Sequence, residues 1–236
     1  MPHHEKEKFK TMHNVFDEFT NRTIFKLISE GHFDGLESAI SLGKEANIFS
    51  AMKGDTRVMV KIYRLEQCDF NRMYDYIKED PRYISLHGKK RKIIFAWVQR
   101  EYRNLLKARE AGVNVPLPIT FKNNVLVLEF IGSGDDIAPP LRFLKPQKPE
   151  DFFEGILNNM KKMHKAGLVH ADLSPFNILN FNETPVFIDF SQCLPIQTSR
   201  AEEFLKRDIH NIVTFFTKLG MEIKEENILE RIKLKN

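Results

Sequence analysis

With 236 residues and a mass of 27.7 kDa, the chain is long enough for one large domain or two lobes sharing a cleft, around a sizeable core. Hydrophobic residues make up 42%, charged residues 29% and 20 positions are Phe, a composition that excludes a disordered scaffold. The 36 basic and 32 acidic residues give a formal net charge of +4, which permits a nucleic-acid partner but excludes a dedicated polyanion binder.

Cys68 and Cys193 are too few for a disulfide framework, and no Cys-x-x-Cys or His-Glu-x-x-His spacing offers a zinc site, which implies a reducing, intracellular setting. The opening MPHHEKEKFK is too charged for a signal peptide, and no apolar run approaches the ~18 residues of a membrane span. A soluble, cytoplasmic protein with no membrane partner is expected.

Residues 1–33 are predicted as an N-terminal helical extension, because Phe16, Phe19, Ile24, Leu27 and Ile28 recur at helical spacing before the breaker Gly31. From 34 the texture becomes short runs of Ile, Val, Phe and Met broken by Gly43 and by Lys53-Gly54-Asp55, predicting a hairpin of strands that ends in Val58-Met59-Val60-Lys61-Ile62-Tyr63. Residues 64–91 carry charges, irregular aromatics and the turn signals Asp80-Pro81 and His87-Gly88, and read as a partly ordered connection. A helix is predicted over 93–111, then strands around 119–121 and 125–130 joined by a turn at 122–124. The first lobe is placed at 34–132 and the second at 133–236. In the second, 150–166 predicts an amphipathic helix closed by Gly167, 200–219 another, and a short charged helix follows.

The stretch 168–192 concentrates the chemistry. Asp172, Asn177 and Asp189 alternate with the apolar blocks Ile178-Leu179 and Val186-Phe187-Ile188, so a loop and a hairpin would bring them together at the edge of a core. Two carboxylates and a carboxamide make a hard-oxygen site suited to Mg²⁺, with Mn²⁺ the alternative ion. Their order and spacing are those of phosphoryl transfer, with one Asp orienting a nucleophile, an Asn five residues on and a second Asp ending a strand. Singly, each residue reads as a turn cap or strand end. His170 is expected to bond backbone carbonyls or Asp189 and fix the loop.

Lys61, inside an apolar strand, needs an anionic partner, and the α- and β-phosphates of a nucleotide would serve. Glu101, on the 93–111 helix, is the best-placed carboxylate to hold it.

Ile40-Ser-Leu-Gly-Lys-Glu-Ala-Asn-Ile-Phe, Val60-Lys-Ile-Tyr, Glu101-Tyr-Arg-Asn-Leu, Val127-Leu-Glu-Phe-Ile-Gly, Leu168-Val-His-Ala-Asp-Leu-Ser-Pro-Phe-Asn and Ile188-Asp-Phe-Ser-Gln together resemble the RIO family of atypical serine/threonine protein kinases, over roughly residues 34–219. The resemblance is to the branch without an N-terminal winged helix, since about 33 residues precede the first strand. It implies an α+β, bilobal protein-kinase-like fold, with a β-rich N-lobe holding one main helix and a reduced helical C-lobe. By the same resemblance Ser41, Gly43 and Lys44 lie in the loop over the phosphates, and Glu129 and Ile131 supply backbone groups that read the adenine edge, with Leu128 at the gate. Asp172, Asp189, Lys61 and Glu101 become the catalytic set, with Asn177 and Asp189 as metal ligands.

Departures from ordinary kinases carry their own expectations. His170-Ala171-Asp172 lacks the Arg of H-R-D, and Asp189-Phe190-Ser191 replaces D-F-G, so control through an activation loop is not expected. The tail after Asp189 has no A-P-E, which places peptide phosphorylation in doubt. The resemblance further implies an autophosphorylating ATPase acting in small ribosomal subunit maturation, with pre-ribosomal rRNA and proteins as partners. Ser85 is then a candidate acceptor and Lys89-Lys90-Arg91-Lys92 a candidate rRNA contact. The alternatives are a small-molecule phosphotransferase of the aminoglycoside or choline kinase type, and an inactive rRNA- or protein-binding module.

Overall fold

The structure is a computed structural model that describes residues 16–78, 83, 86 and 89–233. Ser85, Asp80-Pro81 and His87-Gly88 lie outside the described residues. Helix α1 (Glu18–Ser29) starts at Asp17, whose carboxylate accepts from Thr20 N at 3.0 Å, a cap that satisfies one orphan N–H of the first turn. It leads into a five-stranded antiparallel sheet of β1 (Gly35–Leu42), β2 (Ala46–Lys53), β3 (Thr56–Tyr63), β4 (Pro118–Lys122) and β5 (Val125–Glu129), in the order β1-β2-β3-β5-β4.

The sheet is covered on both faces. Val58, Val60 and Ile62 of β3 pack with Val125 and Val127 of β5 against Ile24 and Leu27 of α1. The alternate residues Met59 and Tyr63, with Leu126 and Leu128, join the larger core that includes Ile94 and Trp97 of the long helix over Lys90–Glu110. Strand period two therefore decides which face each residue meets. Lys61 falls on the second face, opposite Ile48 of β2 and Leu126 of β5.

The connection 64–91 contains a helix that the sequence pattern concealed, α2 (Phe70–Ile77), with Asp69 accepting from Arg72 N at 3.0 Å. Only Met73 and Ile77 of it are buried, an i, i+4 pair too short for a periodicity signal. Helix α3 (Lys90–Glu110) begins three residues before the predicted 93 and contacts α2, β4 and β5.

Past the hairpin β6 (Gly132–Ser133) and β7 (Asp136–Ile137) the chain becomes mainly helical. Helix α4 (Pro149–Lys165) opens with proline at its start, where a missing N–H costs nothing, and closes at Gly167 with φ 76°. It buries Phe152, Phe153, Ile156, Leu157, Met160 and Met163, the six residues its sequence marks. The short strands β8 (Leu168–Val169) and β11 (Leu194–Pro195) pair with each other, and β9 (Ile178–Phe181) and β10 (Thr184–Phe187) form a hairpin. Helices α5 (Ala201–Thr217) and α6 (Glu225–Lys233) finish the described fold. Among the described residues no helix is long and apolar enough to cross a membrane.

Candidate active site

Lys61 is 7% exposed, and an ammonium so placed must be paired. Its Nζ donates to Glu101 Oε1 at 2.8 Å and to Asp189 Oδ1 at 3.1 Å, joining the sheet, α3 and the segment after β10. The other carboxylate oxygen of Glu101 accepts from the Tyr63 hydroxyl, so the fully buried Glu101 carries two donors. Tyr63 reaches it because residues two apart on β3 share a face.

The loop carrying Asp172 and Asn177 is held by its backbone. Asp208, buried in the apolar face of α5, accepts from Ala171 N at 2.8 Å and from Leu173 N at 2.9 Å. Arg207 donates to Ala171 O and Asn211 Nδ2 to Leu173 O at 3.0 Å, so one helix face grips the two residues that flank Asp172. Ala171 sits at φ 64°, a left-handed conformation that the grip has to maintain. Buried His170 bonds Ile188 O through Nε2 at 3.0 Å, which fixes the loop as its sequence position implied. Asn177 Nδ2 donates to Asp172 O at 2.8 Å and to Asp172 Oδ2 at 3.3 Å, and Gln192 Nε2 donates to the same Oδ2 at 3.1 Å.

These contacts set the charges. Burial works against the Lys61 ammonium, but Asp189 and Glu101 outweigh it and hold its pKa well above the ordinary value. Burial likewise pushes Asp189 up, yet Lys61 and the Ser191 hydroxyl prevail and bring it down to about 2. Among the described residues Asp172 forms no salt bridge. Burial and then the charge of Asp189 raise it to about 6, and Arg72 and Arg207 only partly offset them. His170 falls to about 4 through burial and is neutral, and Asp208 rises to about 7 for the same reason.

A cleft of about 440 Å³ runs past these groups, with walls that include Ile40, Ile48, Met59, Leu128, Leu179 and Ile188. Of the residues singled out from sequence, Ser41, Lys61, Glu101, Leu128, Asn177 and Asp189 line it. Ser41 does so from within strand β1 and not from a loop, because its backbone pairs with Ile48. Gly43 forms the tight turn into β2, where its N–H reaches Ala46 O at 3.0 Å and a Cβ would come within 2.7 Å of that oxygen. Lys44, next in the turn, is exposed. Neither is a wall of the cleft, nor is Asp172, which joins it through Asn177. Glu129 turns its carboxylate to Leu117 N at 2.8 Å, and its own N–H to Leu117 O at 2.8 Å. The Ile131 carbonyl accepts from Ala138 N at 2.8 Å.

Sequence reasoning missed Tyr63, Asn104, Ser191, Gln192 and Asp208. Asp208 alone left a signal, an acid among Phe204, Leu205, Ile209 and Ile212 on the apolar face of a helix. Tyr63, Asn104 and Gln192 act through contacts between elements far apart in sequence, whereas Ser191 bonds Asp189 two residues away.

The RIO domain profile matches residues 47–228, more than half of the chain. The chain belongs to the RIO family. The RIO-type serine/threonine-protein kinase Rio1 of Haloferax volcanii is 40% identical over 225 residues, covering 95% of this chain and 78% of that protein. Its counterpart from Methanocaldococcus jannaschii is 39% identical over 227 residues, with 96% and 78% covered. This RIO chain is thus an enzyme of the RIO-type serine/threonine-protein kinase class. Its kinase-like fold matches the Rio2 kinase of Chaetomium thermophilum, solved as an ADP/Mg²⁺-phosphoaspartate complex, with a TM-score of 0.69 at 22% identity, covering 89% of this chain and 65% of that one.

Proposed function

We propose that the chain binds ATP with Mg²⁺ in the cleft between the sheet and the 176–189 segment and transfers its γ-phosphoryl group to itself, to a protein hydroxyl or to water. The observation that carries this is Lys61 bonded at once to Glu101 and Asp189 beside Asn177. One ammonium against two carboxylates leaves a net negative charge, and Asp189 Oδ2 and Asn177 Oδ1 make no hydrogen bond among the described residues. Two uncommitted hard oxygens beside excess negative charge fit Mg²⁺, and apolar walls above and below fit a flat base.

In that role Asn177 and Asp189 hold the ion, which when bound shields the triphosphate charge. Lys61, kept in place by Glu101, orients the phosphates, while Ser41, Gly43 and Lys44 cover them and Glu129 and Ile131 meet the base. Asp172 accepts a hydrogen bond from the attacking hydroxyl and aligns it with the phosphorus. Early removal of that proton is not required in a loose transition state. The lobes are placed at 34–132 and 133–236, with 1–33 an extension. The cellular role is maturation of the small ribosomal subunit in the cytoplasm, with rRNA met by the exposed cations Lys89, Lys90, Arg91 and Lys92 at the start of α3.

Incubation with γ-labelled ATP and Mg²⁺ tests the proposal. The purified chain labels itself or releases phosphate, and Asp172→Ala abolishes both while ATP binding persists. Turnover by Asp172→Ala at the unsubstituted rate would refute it.

A further inference from the structure

The residues after Asp189 read Phe190-Ser191-Gln192, where ordinary kinases place a glycine at the second position. Each of the two polar side chains aims a donor at one of the site carboxylates. Ser191 Oγ donates to Asp189 Oδ1 at 2.6 Å, the oxygen that also receives Lys61 at 3.1 Å. Oδ1 is therefore doubly occupied, and Oδ2 has no hydrogen bond among the described residues. Gln192 Nε2 donates to Asp172 Oδ2 at 3.1 Å. Both side chains are buried, 5% and 8% exposed, so each donor approaches its carboxylate from the protein side, while the Asp189 side chain, 37% exposed, opens onto the cleft.

The backbone of this segment is held from α3. Asn104 Nδ2 donates to Phe190 O at 3.2 Å and to Cys193 O at 2.8 Å, and Arg100 donates to Cys193 O at 2.9 Å. Asn104 follows Glu101 by one helical turn, so the helix that pins Lys61 also pins the residues presenting the two donors. An aspartate's χ2 has a broad, two-fold preference, and a single contact leaves it free to exchange its oxygens.

We propose that Ser191 and Gln192 are positioning residues for phosphoryl transfer: Ser191 fixes which oxygen of Asp189 is left for the metal, and Gln192 fixes the Asp172 carboxylate that aligns the acceptor. The pair replaces the conformational freedom of a glycine with two hydrogen bonds. This inference rests on the function proposed above, in which Asp189 holds the ion and Asp172 the acceptor.

Two measurements on the full chain test it: kcat and KM for ATP turnover, and the Mg²⁺ concentration giving half-maximal ATP binding by calorimetry. The variants are Ser191→Ala, Ser191→Thr and Gln192→Met, with Asp172→Asn and Asp189→Asn as references. Losing a hydrogen bond to a charged group predicts that Gln192→Met lowers kcat roughly tenfold or more with ATP affinity unchanged. Ser191→Ala shifts the Mg²⁺ midpoint upward and lowers kcat by a similar factor, and Ser191→Thr, which keeps the hydroxyl, restores both. Where Ser191→Ala does not fold, Ser191→Gly supplies the ordinary kinase residue and the same two readouts.

A packing role would lower the thermal midpoint without separating kcat from KM, and threonine would not rescue it; that result overturns the inference. So does retention of kcat and Mg²⁺ midpoint within about twofold in Ser191→Ala and Gln192→Met while the aspartate variants are dead. If Asp172→Asn and Asp189→Asn both turn over like the unsubstituted chain, the proposed function fails, and the positioning role fails with it.

Discussion

Strand β3 presents two faces that are equally buried and chemically opposite. Toward α1 it offers Val58, Val60 and Ile62, packed with Ile24, Leu27, Val125 and Val127. Toward α3 it offers Met59, Lys61 and Tyr63, and the last two converge on Glu101. Burial alone therefore does not distinguish a stabilising residue from a working one. The distinction lies in what a buried side chain demands of its neighbours: a valine needs volume, whereas an ammonium needs counter-charges with good geometry. Replacing a buried ion pair by apolar groups of similar volume is often neutral or stabilising, so stability alone gives no reason to keep Lys61, Glu101 and Asp189.

Substitutions on the two faces should separate these roles. The largest effect is expected from Lys61→Met, which keeps the stem and removes the charge. ATP turnover then falls by roughly a hundredfold or more, the scale seen when one preorganised electrostatic contact is lost, as steady-state phosphate release would show. The next largest is set by pH. With Asp172 raised to about 6 and its ionised form needed, kcat/KM is flat above that pH and falls about tenfold per pH unit below it. A pH–rate profile of the unsubstituted chain checks the sign, since a rise on acidification would mean that the protonated acid is the working form. The smallest effect on turnover comes from the other face. Leu27→Ala in α1 lowers the unfolding free energy by about 2–5 kcal/mol in denaturant titrations, while turnover per folded molecule stays unchanged. A loss of turnover equal to that of Lys61→Met would erase the contrast between the faces.

Legibility in the sequence follows the same division. The apolar run 58–63 and the helical spacing in 152–163 are local signals that mark β3 and α4, while the face of the strand that Lys61 occupies is not among them. Asp172, Asn177 and Asp189 were visible because three hard-oxygen side chains interrupt apolar blocks within 18 residues. What stayed hidden was the support. Asp208 reaches Ala171 across 37 positions and Asn104 reaches Cys193 across 89, and no local period encodes such pairs. Helix α2 was hidden for a different reason, because two buried residues in a single pair of turns do not make a period. The resemblance puts Ser41 in the loop with Gly43 and Lys44, and the pairing of Ser41 with Ile48 shows that β1 runs further toward Gly43 than that.

The convergence of Lys61, Glu101 and Asp189 on one nucleotide and its metal is tested most directly by calorimetric titration of the unsubstituted chain and Asp189→Asn with ATP, with and without Mg²⁺. Tighter binding with Mg²⁺ in the unsubstituted chain, and loss of that gain in Asp189→Asn, is the predicted result. Identical Mg²⁺ dependence in both proteins, or no ATP binding at all, would contradict it.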